Sequence, residues 1–191
     1  GILLRHFKAH GMRTLGVDPA VNIANAATAS GIETIPDFFT TAVARRIQKD
    51  HGGASVVAAN NVFAHADDLH GILEGLKLLL VPEGLFVFEV SYLLDVYEKT
   101  LFDMTYHEHV SYHSVKPLEL LFQRHGMELI EAIRVPTHGG SLSGIVQLKG
   151  GGRQRRPSVK DLLQKERLAG LDRVETFTRF AQNIAMIKHQ L

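Results

Sequence analysis

"ASVVAAN", residues 54–60, carries no charge and shows no regular alternation of polar and apolar side chains. A strand with one face in water alternates; a strand without alternation reads as covered on both faces, the habit of parallel sheets. "GLFVFEV", residues 84–90, has the same character, and a helical pattern over 66–80 lies between the two and stops before "PEG". Strand, helix and strand in that order predict a parallel βαβ unit.

The alternation of periods extends upstream. "RTLGVD" at 13–18 is a short apolar run closing on an acid. "PAVNIANAATASG" at 19–31 reads as a helix, with Pro19 in its first turn and Gly31 as its stop. "IETI" is a second short strand, and 40–50 is helical until "HGG" breaks it. Before all of these, Ile2, Leu3, Leu4 and Phe7 share helical spacing. Downstream, 114–125 predicts a helix capped by Ser114 and stopped by Gly126. "MELIEAIRVP" and "SLSGIVQLK", joined by the tight "THGG", predict an antiparallel hairpin at one sheet edge. His138 in that turn reads as turn support. The expected fold is α/β: a Rossmann-like, doubly wound, mostly parallel sheet over 1–150 with an antiparallel edge hairpin. "GGGRQRRP" is a linker by composition, and residues 158–191 read as helices, broken near Gly170, that begin a C-terminal domain.

Composition narrows the function classes. The 191 residues are 45% apolar, as in a globular protein with a real core. A net charge of +1 gives no electrostatic case for nucleic acid. No cysteine is present, which excludes disulfides and thiolate metal sites and fits a reducing cytoplasm. Apolar runs such as "LKLLLV" are too short to span a bilayer. The opening "GILLRHFKAH" has neither an initiator methionine nor a secretion signal and reads as the start of an excised segment.

Ligands of such a sheet bind beyond the carboxyl ends of its strands. Those ends carry Asp18, Asp37, Asn60–Asn61 and Glu89. Asp18 suits the ribose hydroxyls of a nucleoside cofactor, and it also suits the cap of the helix behind it. Asp37 and Phe38 suit an adenine edge, or a plain helix start with a buried phenylalanine. Gly1 reads as the last glycine of a cofactor loop whose own strand lies outside this chain. The richest chemistry is in "TYHEHVSYH", residues 105–113, with three histidines, two tyrosines and a glutamate. If the segment is extended, His107 and His109 share a face and Glu108 points away. The pattern leaves open which histidine acts, and His107, His109 and His113 also allow a three-imidazole metal site. Tyr92, Tyr112 and Phe102 read as core or pocket wall.

"GVDPA", "NNVFAH", "FEVSYLLD", "FDMTYHEHVSYHS" and "THGGSL" occur here in an order and spacing that resembles the sugar C-methyltransferase family. The resemblance implies an S-adenosylmethionine-dependent enzyme that methylates a carbon next to the ketone of a nucleotide-linked deoxysugar. With the charge, apolar runs and cysteine content above, the expected partner is a nucleotide-sugar in the cytoplasm, with no nucleic acid or membrane partner. The family has a zinc-binding N-terminal domain, a Rossmann-like central domain and a C-terminal domain; this chain resembles the centre and the start of the third part. By position the resemblance makes His109 the general base, with Tyr106, Glu108 and His65 beside the sugar, and leaves His107 and His113 to hold the loop. A histidine suits that task because its pKa lies near neutrality, and a phenol suits the enolate oxygen. One departure stands out: Ser143 occupies the position of the family's usual arginine after "HGGSL". Methylation of an oxygen or nitrogen acceptor, or a non-catalytic fragment, are the other readings.

Overall fold

Two short caps decide where the helices of the first half begin. The computed structural model describes residues 1–190 and opens on helix α1 (Ile2–Ala9), followed by β1 (Gly16–Val17), α2 (Val21–Ala29), β2 (Thr34–Ile35) and α3 (Thr41–His51). The hydroxyl of Thr40 accepts the Val43 N–H and starts α3. After β3 (Ala54–Asn60), the Asp68 carboxylate accepts the Gly71 N–H at 2.8 Å and starts α4 (Leu69–Leu79). Helix α2 begins later than expected. Asp18 accepts the Ala20 N–H at 2.9 Å, which turns the chain and leaves Pro19 ahead of the helix rather than in its first turn.

Strand β4 (Leu80–Ser91) leads into α5 (Leu93–Glu98), α6 (Val115–Arg124), the hairpin β5 (Met127–Val135) and β6 (Ser141–Leu148), then α7 (Pro157–Ala169) and α8 (Val174–Gln190). The last two helices part at Gly170, which takes the left-handed conformation open to glycine (φ +68°). Ser114 stands at the N-cap of α6 but makes no side-chain cap; the carboxylate of Glu166 takes that place.

The Rossmann-like α/β fold forms as expected. β3 and β4 are parallel, with Asn60 opposite Glu89. β6 runs antiparallel between β4 and β5, so the order is β3-β4-β6-β5. β1 and β2 form a separate parallel pair. One expectation needs correction. β3 is not covered on both faces: Ser55, Val56 and Ala58 are exposed, Val56 at 38%. Among the described residues it is the edge strand of its sheet, with β4 as its one hydrogen-bonded neighbour.

The main core lies between the four-stranded sheet and helices α4, α6 and α7. Phe63, Phe86, Phe88 and Phe122 meet there with ring centroids 5.5 to 6.4 Å apart. A smaller core under α3, built on Val43, Ala44, Ile47 and Leu79, takes Val17 from β1, Ile35 from β2 and Val57 from β3. Helix α3 therefore ties the separate strand pair to the main sheet. Residues 151–156 lie along the hairpin: Gln147 donates to the carbonyls of Gly151 and Arg153, and the Arg156 N–H reaches Ile130 O at 2.7 Å. Among the described residues no helix is long and apolar enough to cross a membrane.

Candidate active site

At the end of β3 the chain must leave the sheet sharply. Asn61 does this with φ +54°, a left-handed conformation that asparagine tolerates better than most residues, and its N–H bonds Glu89 O at 2.7 Å. A 3-10 turn, Phe63–His65, follows. Phe63 is buried in the aromatic core, while His65 is exposed at the surface. The His65 Nδ1 lies 2.8 Å from the backbone carbonyl of Glu108 and donates to it, since a carbonyl only accepts.

The loop 105–113 docks on this turn through the Val110 N–H, 2.8 Å from Ala64 O. Within it the His109 N–H returns to Tyr106 O at 3.1 Å. The segment is thus a tight turn and not extended, which corrects the expected shared face of His107 and His109. The turn brings Tyr106 and His109 side by side, ring centroids 4.4 Å apart, with the His65 ring 5.0 Å from His109. His109 Nδ1 is 3.0 Å from Met104 O, so Nδ1 carries the proton. Nε2 is left with its lone pair, and the Tyr106 hydroxyl donates to it at 3.2 Å. His109 is half-buried, Tyr106 is 41% exposed, and the Glu108 side chain is exposed.

The other two histidines divide. His113 holds the loop: it is buried, its Nε2 pairs with Ser111 Oγ at 3.1 Å, and its carbonyl accepts the Leu93 N–H. Burial keeps its imidazole below the ordinary histidine range. His107 does not hold the loop; it is exposed, with its ring edge-on to Tyr106 at 6.5 Å. Among the described residues no cluster of three or more histidines and carboxylates is arranged for a metal ion.

The nucleoside candidates sit elsewhere. Asp18 is half-buried at the end of β1 with Oδ1 engaged by Ala20. Asp37 follows β2, and its Oδ1 accepts the Phe38 N–H at 2.8 Å. Phe38 is 69% exposed; the phenylalanine that packs inward is Phe39. Gly1 caps α1, where an added Cβ would meet Ala27 at 3.4 Å. Asn60 and Asn61 are exposed at the end of β3, leading directly to His65. The structure therefore gathers His65, Tyr106, His109 and the Glu108 backbone into one cluster. It places Gly1, Asp18, Asp37 and Phe38 on the separate strand pair and its helices. Two hollows of about 410 and 420 Å³ flank β5, and none of these residues lines them.

Sequence reasoning missed a charged network between α5 and the hairpin. The Asp95 carboxylate is buried and receives Nε and Nη2 of Arg134, both at 2.8 Å, and Lys99 Nζ at 2.6 Å. Burial pushes this carboxyl up, but the bonds from Arg134 and Lys99 outweigh it and hold the pKa below the usual carboxylate range. The Arg134 guanidinium lies over the Tyr92 ring, 5.9 Å from its centroid. Asp95 in α5 and Lys99 at its C-terminal cap, four positions apart, were the available signal.

A model of the methyltransferase domain matches residues 1–132, and a model of the C-methyltransferase C-terminal domain matches 136–191. C-methyltransferase NovU of Streptomyces niveus is 37% identical over all 191 residues. The chain spans 46% of that protein's length. Among solved structures, PH0226 protein from Pyrococcus horikoshii OT3 aligns with a TM-score of 0.57 at 13% identity, over 78% of this chain and 77% of that one. The 1,6-didemethyltoxoflavin-N1-methyltransferase of Burkholderia thailandensis, solved with S-adenosylhomocysteine, aligns with a TM-score of 0.54 at 17% identity, over 76% and 65% of the two chains. These structural likenesses bear on the fold alone.

Proposed function

Since the chain belongs to the methyltransferase domain family, we propose that it is the central part of an S-adenosylmethionine-dependent C-methyltransferase whose acceptor is the carbon next to the ketone of a nucleotide-linked deoxysugar. The name of the Streptomyces relative and the C-methyltransferase model over 136–191 support carbon as the acceptor. The observation that carries the chemistry is the tautomer of His109: Nδ1 is committed to Met104 O and Nε2 faces outward to a phenol.

In this reading Nε2 of His109 takes the proton from the carbon next to the ketone. The C–H bond breaks, its electron pair enters the enolate, and the carbon becomes the nucleophile. The Tyr106 hydroxyl, which donates to Nε2 in the absence of substrate, turns to the oxygen that gains charge and so frees the Nε2 lone pair for the proton. Glu108 accepts from a sugar hydroxyl, and His65, tethered through Nδ1, keeps its other nitrogen for the sugar. S-adenosylmethionine, when bound, supplies an electrophilic methyl group on a sulfonium. The residues fit such a cofactor: Asp18 offers a carboxylate oxygen to a ribose diol, and Phe38 offers an exposed aromatic face to adenine beside Asp37. Asn60 and Asn61 line the strand end between these groups and His65. Gly1, at the N-terminus of α1, completes the proposed cofactor cradle. The absence of cysteine supports a cytoplasmic setting.

Solvent deuterium tests the base. A nucleotide-linked keto-deoxysugar incubated in D2O with the full-length protein and S-adenosylhomocysteine should exchange its α-proton. His109→Asn keeps a donor for Met104 O but has no basic nitrogen, and should slow the exchange about a hundredfold or more. Unchanged exchange in the variant would dismiss His109, and no exchange by the unaltered protein would dismiss the enolate.

A further inference from the structure

Glu166 belongs to α7, far along the chain from the His109 loop, yet it is only 3% exposed and its partners flank the stretch 93–114 that contains that loop. Its carboxylate accepts the Tyr92 hydroxyl at 2.9 Å, the Val115 N–H at 2.5 Å and the Lys116 N–H at 3.1 Å. Tyr92 directly follows β4 and precedes the stretch that carries His109; Val115 opens the helix that follows it. The two ends are also joined to each other. Tyr92 and His113 form a parallel bridge, and the Leu93 N–H donates to His113 O at 2.9 Å.

We propose that Glu166 is a positioning residue for the His109 loop: one buried carboxylate clamps the strand end before the loop to the helix start after it. The proposal rests on the reading of His109 as base.

Physical chemistry favours a carboxylate here. A buried anion is costly unless its lone pairs are filled, and here three donors and the positive end of α6 fill them. Burial, and then the negative charge of Glu166, push the Tyr92 phenol well above its ordinary range, so it remains a donor at any working pH. Tyr92 in turn sits under Arg134, which holds Asp95. Two other pairs link α6 to the same region, Arg155 with Glu119 and Lys116 with Asp172, but both involve exposed side chains and set position weakly. An amide at position 166 would replace one acceptor with a donor that faces donors.

The test uses the full-length protein and reads the loop directly, without turnover. In Glu166→Gln, amides of residues 106–116 should exchange with solvent about tenfold faster, the loss expected for one charge-assisted bond, while residues 86–90 keep their rates. The His109 imidazole, followed by NMR against pH, should shift its titration midpoint. Glu166→Asp, which keeps the charge, should recover part of both effects. Leu162→Ala, which removes packing from the same helix, should lower the melting temperature without loosening the loop. The proposal is overturned if Glu166→Gln leaves loop exchange and the His109 titration unchanged, or if Leu162→Ala reproduces them. Should Glu166→Gln fail to fold, Tyr92→Phe removes one donor and leaves the carboxylate; faster loop exchange then supports the clamp and unchanged exchange overturns it. A loop that loosens as expected while His109→Asn still exchanges the α-proton would sink the base and leave the clamp standing.

Discussion

A single proton decides what His109 can do. Met104 O accepts from one ring nitrogen, which leaves the other unprotonated and accepting from Tyr106, so a backbone carbonyl sets the tautomer without a carboxylate. The neighbouring His113 shows the opposite use of the same side chain. It is buried as the neutral form, with a pKa below the ordinary value of about 6.5. The unfolded chain therefore binds a proton that the folded chain resists, and stability falls as pH drops below about 6.5 toward the depressed folded value. Above about 6.5 the contribution is fully present. Urea unfolding at stepwise pH should show this loss in the unaltered protein and not in His113→Gln, whose amide cannot titrate.

Among elements, the hairpin and α5 are joined by the Asp95–Arg134 pair. Arg134 leaves β5 and reaches a carboxylate with 1% exposure on its side chain. Replacing it with methionine keeps most of the volume and strands a buried charge on Lys99 alone, so the protein should lose roughly 2–4 kcal/mol, read as a lower urea midpoint. Lysine should not restore it, because the two parallel bonds need the guanidinium fork. This is also the scale at which the sequence was most legible. "GLFVFEV" declared a buried strand through its composition, and the "THGG" hairpin and the break at Gly170 were readable from turn chemistry. The exposure of β3 was not, because it depends on which strand stands beside it. The turn at Tyr106–His109 carries no glycine, proline or asparagine to announce it. Glu166 is one acid in a charged helix, and its partners lie 74, 51 and 50 positions upstream. Composition located the loop's chemistry; only the fold could show what holds it.

For the whole molecule, cohesion is uneven. β1 and β2 pair over two residues each and join the rest through the small core under α3, whereas β4 and β6 run through the aromatic core. Native-state hydrogen exchange should find Gly16, Val17, Thr34 and Ile35 opening at least about tenfold more readily than Phe86–Phe88. Equal protection would mean that the two sheets open as one unit. The buried position of Glu166 bears, finally, on where this chain can be recombined. The glycine- and arginine-rich run at 150–157 looks like a natural seam, and a chimaera spliced there would join the loop of one parent to the carboxylate of another. Any donor sequence whose α7 lacks an acid at this register would leave Tyr92 and the first turn of α6 facing each other with no acceptor between them. The loop and the carboxylate that holds its flanks therefore travel together only when α7 is included, and exchange of segments should respect that border.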